Sequence, residues 1–306
     1  MVVCYTIVRK CFCRNHGNRL QELPESFGFD EIKKIYKDVL KEKNVFWGGI
    51  MVIRFLEWVG RFVLKRLEEL GTVVLLYVET MRQLGHKPRI RHIVAQMSHL
   101  GVDSLSIVGL TLLFTGAVLT LQTASQFIRF GAQSTVGAVI AIAIGRELGP
   151  VLVGVVCAGR VGSAITAEIS TMKVTEQIDA LRVMAVNPVD YLIVPRMLAC
   201  MVVVPLLTVF GDLIGIFGGW AVAFHYSGIS SYLYMNSIDT FCDAFDITGG
   251  MIKAVFFGNV IAVLGCYYGL HSPDGAEGVG KATTRTVVAS IIAIFALNAV
   301  LTFILF

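Results

Sequence analysis

Five long apolar stretches fill the C-terminal two-thirds of this 306-residue chain, and they constrain its fold more than any other feature. A helix needs about 20 largely apolar residues to cross a hydrocarbon core of roughly 30 Å. Five stretches meet that requirement, at residues 103–124, 135–160, 192–224, 251–270 and 286–306. The sequence therefore predicts an all-α integral membrane protein with five transmembrane helices.

Charge is scarce and unevenly placed. Only 16% of the residues are charged and 55% are apolar, whereas about a quarter of the residues in a soluble domain are charged. Most of the charge lies in the first 100 residues. The chain is therefore predicted to have three parts: a polar and poorly ordered extension at 1–50, an amphipathic interfacial region at 51–100, and a five-span domain at 101–306.

The segment before the first span has the periodicity of an amphipathic helix. Between residues 51 and 68, apolar side chains such as Phe55 and Phe62 recur at helical spacing against Arg54, Arg61 and Lys65. An apolar side, a cationic side and a tryptophan suit a helix that lies in the membrane interface. We expect an interfacial helix here.

The loops between the spans predict the orientation of the chain. Loops 161–191 and 271–285 contain Lys and Arg, whereas 225–250 contains three Asp and neither basic residue. Basic loops stay in the cytoplasm, so both basic loops and the N-terminus are predicted to be cytoplasmic. The third stretch is longer than one crossing needs, which predicts a tilt, or a break near Pro205 or near the glycines at 215, 218 and 219.

Two adjacent charges lie inside the second apolar stretch, in the sequence AIAIGRELGP. These are Arg146 and Glu147. A charge at membrane depth costs at least about 2.5–3.5 kcal/mol on insertion scales, so it faces the bundle interior or a water-filled cavity. Two interpretations stay open: a polar lining of a cavity for a charged or amphipathic ligand, or a structural ion pair with another helix.

The first basic loop contains a short helix signal. Thr175 is a suitable N-cap, and Glu176 suits the positive end of the helix dipole. Ile178, Leu181 and Met184 or Ala185 then form one apolar stripe. Such a helix either rests on the bilayer or docks into a soluble partner.

The segment Gly275–Lys281, GAEGVGK, matches the first part of a phosphate-binding P-loop but lacks the required context. Ala282 stands where magnesium ligation needs Ser or Thr, and a membrane span precedes the segment instead of a strand. We therefore expect no ATP binding, but a flexible glycine turn with Thr283 or Thr284 capping the last helix. No metal site, cofactor or catalytic residue set is predicted.

Long sequence blocks carry a resemblance to a known family. They read RELGPVL at 146–152, AGRVGSAITAEISTMKVTEQIDAL at 158–181, MAVNPVDYLIVPR at 184–196 and GAEGVGKATTRTVV at 275–288. In this order they resemble the MlaE permease family, the membrane subunits of ABC-type lipid transporters that work with MCE-domain proteins. The resemblance covers residues 51–306.

The resemblance implies a homodimeric transport subunit, not an enzyme. A cytoplasmic ABC ATPase would bind ATP and magnesium, an MCE-domain protein would cap the outer side, and a phospholipid or related lipid would enter the cavity between two copies. The cavity residues it implies are Arg146, Glu147, Leu119 and Gln122. The ATPase-coupling residues it implies are Thr175, Glu176, Gln177, Asp179, Leu181 and Arg182.

Other functional classes stay open. A secondary transporter or channel for a small amphipathic solute would need ion-coupling carboxylates in the spans, where Asp212 and Glu147 are the candidates. An intramembrane enzyme would need convergent polar groups, and none is visible. The expected location is the bacterial inner membrane, with the plastid inner envelope as the alternative, and no nucleic-acid partner is expected.

Overall fold

The computed structural model describes residues 60, 61, 64, 67–83 and 90–306. This part of the chain is helical and contains no strand. The helix bundle belongs to one compact unit, Glu69–Phe306. The predicted extension 1–50 lies outside the described residues, and so does most of the predicted amphipathic segment before residue 67.

Among the described residues, five helices are long and apolar enough to cross a membrane, which confirms the predicted number. They are Ile90–Arg129, Gln133–Val174, Val189–His225, Ala244–Leu270 and Ala276–Leu305, here called the first to fifth spans. Three shorter helices of the described part of the chain cover 67–83, Gln177–Val183 and Ser231–Phe241. The spans extend beyond the apolar stretches because their backbone hydrogen bonding continues into the flanking polar residues.

Two predicted loops are partly helical. The second span continues to Val174, so the predicted loop 161–191 is wrong over its first half. The predicted flexible turn at Gly275–Lys281 is also wrong, because the fifth span begins at Ala276 directly after Gly275, whose φ is +84°. Thr283 and Thr284 do not cap this helix, since both hydroxyls donate to the Gly280 carbonyl within it.

The third span is the centre of the bundle and packs most extensively against the first and fourth spans. It is a continuous α-helix over Val194–His225 with Pro205 inside, so the predicted break does not occur. The glycine cluster instead permits close packing. A Cβ on Gly116 of the first span would lie 2.0 Å from the Gly215 carbonyl oxygen, and one on Gly218 would lie 2.5 Å from the Leu113 oxygen. Small residues at such crossings let the helix backbones approach each other.

Two π-helical turns interrupt the second span, at Ile144–Leu148 and Ala158–Gly162. A third, Val189–Ile193, begins the third span. Single π turns inside α-helices are rare and are frequent at functional sites. The first of them contains the charged pair that the sequence singled out.

The helix at 67–83 packs against the fourth span through two polar contacts. The Thr72 hydroxyl donates to the Tyr267 hydroxyl at 2.9 Å, and the Asn259 amide donates to the Tyr77 hydroxyl at 3.1 Å. The other side of this helix exposes apolar side chains at helical spacing: Leu70, Val74, Leu75 and Val78. That exposed stripe suits contact with lipid.

Replacing glycine by alanine should have opposite effects at a crowded position and at an open one. Gly116→Ala should destabilise the protein by about 1–3 kcal/mol, because the added methyl meets the backbone of Gly215. Gly280→Ala should instead stabilise it by about 0.5–1 kcal/mol, because its surroundings are open and alanine favours the helix. Thermal unfolding midpoints in one detergent would compare the two variants, and equal shifts would contradict the packing described.

Candidate functional site

The charged pair of the second span lies between three spans. Arg146 and Glu147 belong to the π turn Ile144–Leu148, and their side chains are 38% and 36% exposed. This turn of the second span packs against the beginning of the fourth span and the end of the fifth. Both charges are therefore held inside the bundle while part of each stays accessible.

Glu147 is fully engaged by the fourth and fifth spans. Its carboxylate accepts hydrogen bonds from Lys253 Nζ at 2.7 Å, from Thr302 Oγ1 at 2.9 Å and from Asn298 Nδ2 at 3.0 Å. Lys253 is completely buried and also donates to the carbonyl oxygen of Arg146 at 2.9 Å. Its ammonium group thus meets a carboxylate, a hydroxyl and a peptide oxygen, all of them from the protein.

Arg146 is fixed by the first turn of the fourth span. Its Nε donates to Asp246 Oδ1 at 2.5 Å, and the other carboxylate oxygen of Asp246 accepts the Asp243 backbone N–H at 3.0 Å. Asp243 and Asp246 form a reciprocal capping box that begins this helix. The Phe306 ring lies 4.7 Å from the Arg146 guanidinium carbon, a cation–π distance.

The acidic cap also affects its neighbour. Cys242 lies between the helix Ser231–Phe241 and the fourth span. Burial and the nearby Asp246 carboxylate raise the pKa of the Cys242 thiol above its ordinary value. The thiol is therefore a neutral group beside the Arg146–Asp246 pair.

The side chains just described form one charged cluster. Its members are Arg146, Glu147, Asp246, Lys253, Asn298 and Thr302. Both charges singled out by the sequence have ion-pair partners on another span, as one of the two open interpretations required. Sequence reasoning missed Lys253, although it is a lone cation inside the fourth apolar stretch. It placed Asp246 in an acidic loop, whereas this residue lies in the first turn of a helix.

Leu119 and Gln122 lie apart from the charged cluster, on the first span. Leu119 is partly buried against the apolar core, and Gln122 is exposed. The charged cluster joins the second, fourth and fifth spans instead. Their assignment to a lipid cavity stays a prediction.

The short helix Gln177–Val183 connects the second and third spans and exposes most of the residues implied for coupling. Ile178 is buried and Leu181 is partly buried. The exposed members are Thr175, Glu176, Gln177, Asp179 and Arg182. Their coupling role stays a prediction.

The ends of this short helix differ from the sequence prediction. Thr175 is not its N-cap, because the Thr175 hydroxyl donates back to the Thr171 carbonyl at 2.8 Å and closes the preceding helix. Glu176 occupies the cap position with a left-handed φ of +59°, and Ala185 beyond the helix has a φ of +56°. Such conformations are uncommon for residues other than glycine.

A further ion pair lies near the base of this loop. Arg196 Nη2 is 2.8 Å from Glu168 Oε2, and Arg196 Nη1 donates to the Leu192 carbonyl at 2.8 Å. Lys173 Nζ donates to the Ser272 carbonyl at 2.7 Å, which ties the end of the second span to the loop after the fourth. The loop that carries the short helix is therefore anchored on both sides.

A family model described as permease MlaE matches residues 93–304. The match includes nearly all of the first and fifth spans and the whole of the other three, with the charged cluster and the short helix. The chain belongs to the MlaE permease family. It is an ABC transporter permease and a transport subunit, and ATP hydrolysis is carried by a partner subunit.

Similar proteins occur in bacteria and in plastid-bearing organisms. A probable ABC transporter permease of Rickettsia typhi is 43% identical over 70% of this chain and 83% of its own length. One of Synechocystis is 43% identical over 71% and 82%. The Arabidopsis thaliana protein TRIGALACTOSYLDIACYLGLYCEROL 1, chloroplastic, is 39% identical over 72% of this permease and 63% of its own length.

The buried ion pair of this permease predicts a stability cycle. Lys253→Met should cost about 3–5 kcal/mol, because it leaves Glu147 without its counter-charge inside the bundle. Adding Glu147→Gln to that variant should recover a large part of the loss, since a neutral amide tolerates the apolar surroundings better. Unfolding free energies in mixed micelles would measure the cycle.

The matched control is the exposed pair Lys281–Glu277 at the start of the fifth span, whose side chains are 60% and 82% exposed. Lys281→Met should cost less than about 1 kcal/mol. A Lys253→Met cost as small as that of the control, or a double variant worse than the single one, would contradict the ion pair as described.

Proposed function

We propose that this permease moves a phospholipid or a related lipid through a cavity formed between two copies of the chain, driven by a cytoplasmic ABC ATPase. The observation that carries the proposal is Arg146, a cation at membrane depth that is held in place and still 38% exposed. An accessible arginine at this depth is a functional candidate by default. Its natural ligand is an anionic group that enters from the membrane, and a lipid phosphate is such a group.

The contacts of Arg146 suit this role. Asp246 holds the guanidinium through Nε, and the Phe306 ring covers one side of it. A guanidinium has five N–H donors in a fixed fork, so the remaining donors can bind phosphate oxygens. Glu147 and Lys253 fix the backbone of the same π turn. On this proposal, Leu119 and Gln122 of the first span line the wall of the cavity.

The exposed surface supports a membrane-embedded dimer. The fifth span has little buried surface, and its exposed side chains include Phe295 and Phe303. The first span exposes Phe114 and Val118. A homodimer that encloses a lipid cavity would cover part of this apolar surface with a second copy and leave the rest to the bilayer.

The short helix Gln177–Val183 is the proposed contact with the ATPase. Charged Glu176, Asp179 and Arg182 are exposed there, next to Val183 and Met184, which are 88% and 64% exposed. An exposed apolar pair with a charged rim is typical of a docking surface. An MCE-domain protein is proposed at the opposite membrane side, as in the family that the sequence resembles.

A second function has one observation in its favour. Asp212 of the third span is buried, and its Oδ1 has no hydrogen-bond partner among the described residues. A secondary transporter or channel for a small amphipathic solute would use such an intramembrane carboxylate for ion coupling. Transport that requires an ion gradient and proceeds without the ATPase would favour this second function.

The proposed location is the bacterial inner membrane, with the plastid inner envelope as the alternative. The similar proteins include bacterial permeases and a chloroplastic protein that is named after a galactolipid, trigalactosyldiacylglycerol. That name also supports a lipid as the transported compound.

Loss of the Arg146 charge should reduce lipid capture. Arg146→Gln with Asp246→Asn removes the pair without leaving a buried carboxylate alone, and the variant should co-purify several-fold less phospholipid than the parent. Mass spectrometry of lipids extracted from the purified protein would measure it. Arg285→Gln, an exposed arginine of the fifth span, is the control and should retain the parental amount. Equal lipid in both variants would refute the role of Arg146.

Reversal of the Glu176 charge should uncouple the permease from its ATPase subunit. Glu176→Lys should lower lipid-stimulated ATPase activity of the reconstituted complex several-fold, because a charge on the proposed docking surface is inverted. Glu277→Lys is the control, since Glu277 is exposed at the start of the fifth span. Unchanged stimulation with Glu176→Lys would rule out this helix as the ATPase contact.

A further inference from the structure

A pocket of about 130 Å³ lies between the first span and the second π turn of the second span. It is separate from the charged cluster around Lys253. Three of its lining side chains are polar and ionisable, namely His99, Asp103 and Arg160. Leu100 and Val161 form its apolar floor and are almost completely buried.

The pocket lies at the boundary between hydrocarbon and lipid head groups. The apolar stretch of the first span begins at residue 103, and that of the second ends at residue 160. Consecutive spans joined by a short turn run antiparallel, so both residues mark the same membrane boundary. From residue 103 to 124 the helix rises roughly 33 Å, the thickness of the hydrocarbon core. The boundary is the one on the side of the helix Gln177–Val183.

The three ionisable groups line the pocket, and they do not form hydrogen bonds with one another. Arg160 Nη2 is 3.7 Å from Asp103 Oδ2, and His99 Nε2 is 4.0 Å from the same oxygen. Both distances exceed a hydrogen bond. The side chains are about half exposed: 51% for Arg160, 47% for Asp103 and 59% for His99. Each group therefore retains hydrogen-bonding capacity toward a ligand.

The backbone around Arg160 leaves open space beside its side chain. Arg160 belongs to the π turn Ala158–Gly162, which changes the direction of its side chain relative to a regular α-helix. A Cβ on the adjacent Gly159 would meet no atom within 4 Å, so the space beside Arg160 is open. A ligand could approach the guanidinium from that side.

We propose that this pocket binds the zwitterionic head group of a membrane phospholipid, with the phosphate on Arg160 and His99 and the ammonium on Asp103. A purely anionic head group would meet the Asp103 carboxylate, and a purely cationic one would meet Arg160. A head group with both charges satisfies both residues. This inference rests on the proposed function in taking a lipid as ligand, and adds a second lipid site at the end of the spans nearest the short helix.

The competing explanation is that Arg160 merely extends toward the interface, as arginines near helix ends do. That behaviour needs only water and polar head groups around the guanidinium, so it predicts no preference for a zwitterion. The two explanations therefore differ in head-group selectivity, and selectivity can be measured at the pocket itself.

The test uses the full chain in nanodiscs with equal amounts of phosphatidylethanolamine and phosphatidylglycerol of identical acyl chains. Benzoylphenylalanine replaces Gly159, and mass spectrometry identifies the lipids crosslinked after irradiation. We expect a several-fold enrichment of phosphatidylethanolamine over its share in the bilayer. Asp103→Asn should shift the adducts toward phosphatidylglycerol, and Arg160→Gln should reduce both.

Matched controls lie elsewhere on the surface. Arg129→Gln, at the other end of the first span, and Asp239→Asn, on the helix Ser231–Phe241, should leave the adduct ratio unchanged. Arg160→Lys and Asp103→Glu keep the charges and should retain the preference, which separates lost binding from lost folding. Adducts in the bilayer ratio for the parent, or an unchanged ratio in Asp103→Asn, would overturn the proposal.

A transport assay on the same variants separates this site from the proposed function. Head-group selectivity with no lipid movement by the complex with its ATPase would overturn the proposed function and leave the pocket standing. Lipid movement without selectivity at position 159 would overturn the pocket and leave the proposed function standing.

Discussion

A charged group that is sealed from both water and lipid must find all its partners within the protein, and Lys253 imposes this requirement on the bundle. Its ammonium binds oxygens from the second and fifth spans while its own backbone belongs to the fourth. Removing one partner of such a pair costs far more than the pair itself contributes. The relative positions of three spans, and with them the orientation of Arg146, depend on this one side chain.

Small and hydroxyl-bearing residues complete the arrangement that the charges begin. Gly116 and Gly215 allow the first and third spans to touch through their backbones. Thr166 and Thr286 share a hydrogen bond of 2.8 Å between the second and fifth spans. Between helices in a membrane, close packing and hydrogen bonds replace the hydrophobic effect as sources of stability. The bundle is therefore held together by its polar contacts as well as by close packing.

The number of spans could be predicted from the sequence because a run of 20 apolar residues has few other uses. The ends of the helices could not be predicted in this way. The second span continues to Val174 through polar residues, and hydropathy does not distinguish such residues from a loop. Thr175 has the right chemistry for an N-cap, but its hydroxyl bonds backward to Thr171 instead. Lys253 was missed because its partner is about a hundred residues away in the chain, and no local pattern links the two.

The π turns of the second span also affect how this sequence should be read and altered. Each one accommodates an additional residue within the helix, so everything beyond it is rotated by about 100° relative to an uninterrupted α-helix. A helical wheel drawn over the whole span therefore assigns wrong faces to its second half. Deleting one residue within Ala158–Gly162 could preserve a fully hydrogen-bonded helix and its composition while rotating either Arg160 or the residues that follow it. In this segment the number of residues determines the directions of the side chains as much as the residue types do.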